Sequence, residues 1–194
     1  QEIYIGLEAI TGAIRSDIWK LILRGTQVVD GRFDIWLPMT DMVTERTSFL
    51  EPSPLTTVTI PSTAYSVICV GGYDAIQNSV AFFSGLGFTY MTYGQKPDIV
   101  APAVDIITTA PGGGYDSFTG TSLAAPFVTG AAALMMEWGH VKRNDPFLFG
   151  QRVKAFLCRN ASRNFPVSFP NEAWGYGVLN LIATMNDLRE LIQT

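Results

Sequence analysis

The run Gly120-Thr121-Ser122-Leu123-Ala124-Ala125-Pro126-Phe127-Val128-Thr129-Gly130 places a hydroxyl just after a glycine turn and just before an apolar segment, residues 131–136. That pattern reads as the entry to a buried helix, whose first N–H groups lack partners within the helix and carry a partial positive charge. A serine there stands beside donors suited to a forming anion, which is the chemistry of a nucleophile with an oxyanion site attached. The position also suits a plain N-cap, since Ser and Thr lead the preference for it. Taken alone, the run supports both readings about equally.

A serine nucleophile needs a base. The chain has one histidine, His140. A helix rises ~1.5 Å per residue, which puts Trp138 roughly 24 Å from Ser122, so an unbroken helix leaves His140 as a solvated loop residue outside the site. Asp98, Asp105 and Asp116 are further polar candidates, and Asp98, within Lys96-Pro97-Asp98-Ile99-Val100-Ala101-Pro102, reads as a turn or cap carboxylate. Cys69 and Cys158 sit in apolar runs and read as buried thiols, with a disulfide left open. No Cys/His spacing or acidic loop points to a metal.

The elements that must position Ser122 follow from composition and periodicity. The chain has 194 residues, 47% hydrophobic and 15% charged, as a folded domain with a sizeable core requires. A net charge of -4 without a basic cluster argues against nucleic acid. The apolar run 123–138 is interrupted by Pro, Thr and Gly and is shorter than the roughly 20 residues of a membrane span, so it reads as a core helix. Being apolar nearly all round, it is expected to run through the centre of the fold. Gln1 in place of Met, followed at once by a strand-like segment, suggests a piece of a longer protein.

Residues 1–47 read as antiparallel strands (2–7, 17–24 and 32–37) around an Asp30-Gly31 hairpin turn, part of a β-sandwich or jelly roll needing partner strands from elsewhere. Residues 48–194 read as α/β. Strands are expected near 58–60, 67–70, 79–83, 99–100, 104–109 and 115–118, and helices over 122–138, 146–159 and 179–192. Asp145-Pro146 supplies the second helix start.

Three blocks together, Lys96 to Pro102, Gly120 to Gly130 and Gly175-Tyr176-Gly177-Val178-Leu179-Asn180, resemble the subtilases, the subtilisin-like serine proteases. The family's active serine lies in Gly-Thr-Ser-x-Ala/Ser-x-Pro-x-x-small-Gly/Ala, and every defined position from Gly120 to Gly130 is met. The resemblance covers about residues 50–194 and implies a mostly parallel subtilisin-like sheet with flanking helices. Phe33-Asp34-Ile35-Trp36-Leu37-Pro38 and Phe49-Leu50-Glu51-Pro52 resemble the inserted β-domain of a clostridial branch that includes the Csp germination proteases of spores.

The resemblance implies a serine endopeptidase with Ser122 as nucleophile, and Thr121 and Gly120 beside the oxyanion. Thr59 and Ile60 would lie near the pocket for the side chain before the scissile bond, and Phe118 on the leaving-group side, although ordinary core packing would also explain all three. The family's triad runs Asp, His, Ser, so the Asp, the His and an oxyanion Asn are expected in an N-terminal part outside this chain. That part and a protein or peptide substrate are the implied partners. No cofactor is implied; calcium is frequent in the family, but no site is identified here. A secreted, cell-envelope or spore location follows by resemblance. Phe127 stands where many relatives carry His, and Ala103 where Gly is usual. An inactive sensor or scaffold is the alternative function. An α/β-hydrolase elbow fits less well, since Ala124 stands where its Gly-x-Ser-x-Gly needs glycine.

Overall fold

The computed structural model describes residues 3–14, 16–31, 33–38, 43, 47–87 and 95–192. The chain divides into two compact units, Gln1–Phe49 and Leu50–Thr194. The described residues of the first unit form no strand, unlike the expectation for 2–7, 17–24 and 32–37; Glu2 and Arg32 lie outside the described residues. Large apolar side chains there, among them Tyr4, Ile10 and Val29, are exposed. An extended apolar segment becomes a strand only when another strand takes up its N–H and C=O groups, and none does so among the described residues of this unit.

The second unit is α/β. Strand β1 (Val70–Asp74) pairs antiparallel with β2 (Ser79–Val80) and parallel with β3 (Ile99–Pro102), giving the order β2-β1-β3. On its other side β3 meets the Gly-Tyr-Gly block: Val100 N–H donates to Gly177 O at 3.0 Å and Leu179 N–H to Val100 O at 2.9 Å. Ile99, Val100 and Ala101 are fully buried, as their continuous apolar run requires. A hairpin follows, β4 (Ile106–Thr109) with β5 (Tyr115–Phe118), leading straight into helix α1 (Thr121–Met136). A π-helical turn, Glu137–Val141, ends α1. Helices α2 (Gln151–Arg159) and α3 (Leu181–Ile192) complete the unit. No helix among the described residues is long and apolar enough to cross a membrane.

Several boundaries differ from the sequence reading for local reasons. Residues 58–60 form no strand; the nearby backbone is held instead by Thr56 N–H to Gly87 O and Thr57 N–H to Leu86 O, and 60–63 turn away. The segment 79–83 pairs with β1 at Ser79 and Val80, Ala81 N–H still donates to Gly72 O at 3.0 Å, and the chain then turns as Ser84 N–H closes on Ala81 O at 2.8 Å. Strand β4 starts at Ile106 because Asp105 has φ 53°. Helix α2 starts at Gln151 and not at Pro146, because Phe147 and Leu148 turn back onto Asp145 through its Oδ1 and its carbonyl.

The core joins β3, α1, α2 and α3, with Met135, Leu148, Leu157 and Leu188 almost wholly buried. Burying each such side chain contributes about 1.5–3 kcal/mol. Helix α1 presents Ala124, Val128, Ala131 and Met135 inward, a helical stripe. Within this unit the helix is only partly buried, although its sequence is apolar nearly all round. Phe127, Leu134 and Met136, which lie outside that stripe, are 43%, 52% and 41% exposed.

Both cysteines are free and buried. Burial pushes each thiol up to about 11 from an ordinary value of 9.0. The native state therefore keeps two protons that the unfolded chain releases between pH 9 and 11. Stability is expected to fall as pH rises through that window, by about 3 kcal/mol per thiol. Urea unfolding at pH 8 and pH 11 checks this. The loss should be smaller in a Cys69→Ala/Cys158→Ala variant; an equal loss in both proteins would contradict it.

Candidate active site

Gly120 is the N-cap of α1, in a conformation (φ 156°, ψ 157°) that side chains rarely adopt, and no side chain caps the helix. Its N–H donates to Ala103 O at 2.8 Å, so the turn hangs from the end of β3. Thr121 is the first helical residue and Ser122 the second. An N-cap must itself be non-helical, so Ser122 is not the cap. The N–H groups of Thr121 and Ser122 have no acceptor among the described residues, whereas Leu123 N–H donates to Gly120 O at 3.0 Å. Ser122 is exposed, and its hydroxyl makes no hydrogen bond among the described residues. Two free donors and an unengaged hydroxyl thus share one helix end with positive potential.

The close fit behind this turn is visible at Gly72 of β1. A Cβ there would fall 2.6 Å from Ala103 Cβ and 3.3 Å from Thr121 Cγ2. Glycine at 72 leaves room for alanine at 103, which is fully buried and keeps a negative φ. The Thr121 methyl is seated against the sheet, which orients the residue preceding Ser122.

Thr121 lines a cleft of about 680 Å³ together with Thr57, Thr59, Ser62, Gly71 and Phe83. The structure thus brings Thr59 and Thr121 onto one cleft. Ile60 is 81% exposed and does not line it. Phe118 ends β5, paired with Ile106, four residues before Ser122, and is also outside the cleft lining. His140 is exposed in the π-helical turn, with its ring 5.7 Å from that of Phe149. Since α1 is continuous from Thr121 to Met136, His140 stays at the far end of the helix. Asp105 and Asp116 are exposed around the β4–β5 hairpin. Among the described residues no three His, Cys, Asp or Glu side chains converge.

Asp98 is not a turn or cap carboxylate. Its side chain, 3% exposed, lies between two lysines: Lys96 Nζ at 2.8 Å from Oδ2 and Lys154 Nζ at 2.7 Å from Oδ1. Oδ2 also accepts the Cys69 N–H at 2.7 Å. Lys96 stood two residues away in the sequence, but Lys154 comes from α2, and nothing local announces a contact of that range.

Residues 47–177 match the subtilase family. The structure is similar to the CspB protease of Clostridium perfringens, with 44% identity and a TM-score of 0.73 over 75% of this chain and 32% of that one. An intracellular serine protease of Paenibacillus polymyxa is 30% identical over 132 residues, 63% of this chain and 38% of the relative. The alkaline elastase YaB of a Bacillus species is 38% identical over 105 residues, 54% of this chain and 24% of that protein. The chain thus spans well under half the length of these relatives.

Proposed function

This chain belongs to the subtilase family, and we propose on that premise that it is the nucleophile-bearing part of a serine endopeptidase. The observation that carries the reading is Ser122 itself, exposed in the first turn of α1 beside two unpartnered N–H groups. In the reaction, Ser122 Oγ attacks the peptide carbonyl and loses its proton to a base. The Ser122 N–H meets the developing oxyanion, and the Thr121 hydroxyl assists from the adjoining cleft. One well-aimed oxyanion donor contributes about 3 kcal/mol to the transition state. Thr59 on the cleft wall, Ile60 beside it and Phe118 on the hairpin are the residues through which substrate side chains are read. The substrate is a protein or peptide.

The base and its carboxylate come from an N-terminal part of the same protease, since the single histidine here is held at the wrong end of α1. The exposed apolar residues of α1 support that partner: Phe127 and Leu134, seven residues apart and so one above the other, lie outside the stripe that α1 buries in the core. The test is peptide hydrolysis by the 194-residue chain alone and by the protein joined to its Asp- and His-bearing part. Hydrolysis is expected only from the joined protein. Equal activity from the isolated chain would contradict the two-part reading, and a folded joined protein without activity would favour the inactive sensor.

A further inference from the structure

Three successive carbonyls, those of Tyr65, Ser66 and Val67, are gripped by side chains from elsewhere in the fold. Lys154 Nζ reaches Tyr65 O at 3.2 Å and Val67 O at 3.0 Å. Gln151 Nε2, one turn earlier on α2, donates to Ser66 O at 3.1 Å. Lys96 Nζ donates to Val67 O at 3.2 Å. Both ammonium groups rest on the Asp98 carboxylate, which also takes the Cys69 N–H, while the Asp98 N–H donates to Cys69 O at 2.8 Å.

An ammonium has three donors and no acceptor, so each lysine can satisfy one carboxylate oxygen and still bind backbone. Charge-assisted bonds of this kind are roughly twice as strong as neutral ones. What they hold lies next to the site: Ser62 and Cys69, on either side of the gripped segment, both line the cleft that contains Thr121. The other end of the connection is rigid, because α2 buries Val153, Phe156 and Leu157 in the core shared with α1.

We propose that Lys154, braced by Asp98 and Lys96, is a positioning residue that fixes the wall of the substrate cleft and thereby sets discrimination among substrates without touching them. The proposal rests on the reading of Ser122 as an endopeptidase nucleophile. It differs from plain structural support in its consequence: loosening one wall changes substrates unequally, whereas general destabilisation lowers all of them together.

The test uses the joined protease carrying Lys154→Met, which keeps the apolar stem and removes the ammonium. Amide exchange at Cys69 is expected to quicken by roughly tenfold or more, with the Val128 and Ala131 amides of α1 unchanged. Across peptides varied at the residue before the scissile bond, kcat/KM should shift unevenly, with a spread of roughly tenfold carried mainly by KM. The rate of fluorophosphonate labelling at Ser122 should stay within about twofold, and Lys154→Arg should restore the wild-type ranking. A uniform loss across the peptides, or unchanged Cys69 exchange, overturns the proposal. If Lys154→Met does not fold, Gln151→Ala removes the Ser66 contact alone and should shift the same peptides less far; a uniform effect there overturns it equally. Should the unaltered protein refuse the label, the nucleophile reading falls, while Cys69 exchange still decides whether Lys154 holds the wall.

Discussion

Ser122→Ala is expected to lower kcat of the joined protease by on the order of 10⁶-fold, the scale of loss when subtilisin is deprived of its nucleophile. The substitution removes the one atom that forms the acyl bond and leaves the helix N–H groups and the cleft in place. KM should therefore change little, and a residual rate of roughly 10³–10⁴ over water should persist from binding and the oxyanion site. The fold should not notice. The Ser122 hydroxyl is exposed and makes no hydrogen bond among the described residues, so stability should stay within about 0.5 kcal/mol. Steady-state kinetics with a melting curve separates the two effects. A kcat loss below tenfold would remove Ser122 from the chemistry.

The second large effect is on stability. Asp98→Ala is expected to destabilise the unit Leu50–Thr194 by about 3–5 kcal/mol, because two ammonium groups would lose their carboxylate. Lys96 is 3% exposed and Lys154 15%, so water can compensate little. The Cys69 N–H would also lose its acceptor. In a domain of this size the loss corresponds to a Tm lower by roughly 6–20 °C. Thermal unfolding followed by circular dichroism measures it, and a change under about 1 kcal/mol would show that the lysines find other partners.

The part of the site that can be read from sequence is local. Gly120 permits the turn, Ser122 follows, and the apolar run behind it announces α1; all are neighbours in the chain. That the Lys96–Pro102 block and the Gly-Tyr-Gly block belong to one pattern came from family resemblance; that they lie side by side, bonded from Val100 to Gly177 and Leu179, comes from the structure. The α/β class was legible from the short apolar runs, and β5 (Tyr115–Phe118) lies where its pattern put it.

What stayed hidden depends on partners distant in sequence. The role of Asp98 required Lys154, and the grip on Tyr65 to Val67 required α2 to lie beside that segment. Nothing in the types or spacing of these residues encodes either. Residues 2–7, 17–24 and 32–37 have strand-like composition, yet composition cannot supply the hydrogen-bonding neighbour that makes a strand. Helix α1 is only partly buried within this unit for a related reason: an apolar sequence states that a face prefers burial, not which element buries it. At α2 the Pro146 signal was overruled by the Asp145 side chain, whose Oδ1 ties down Phe147 N–H and holds the chain in a turn for several residues before the helix starts.

The claim that most depends on one atom is that Ser122 Oγ is the nucleophile. A fluorophosphonate probe applied to the joined protease, followed by peptide mass spectrometry, tests it directly. The predicted result is a single phosphonylated serine at position 122, absent from the Ser122→Ala variant and lost on unfolding. Labelling at another residue, or none on a folded protein that hydrolyses peptides, would contradict it.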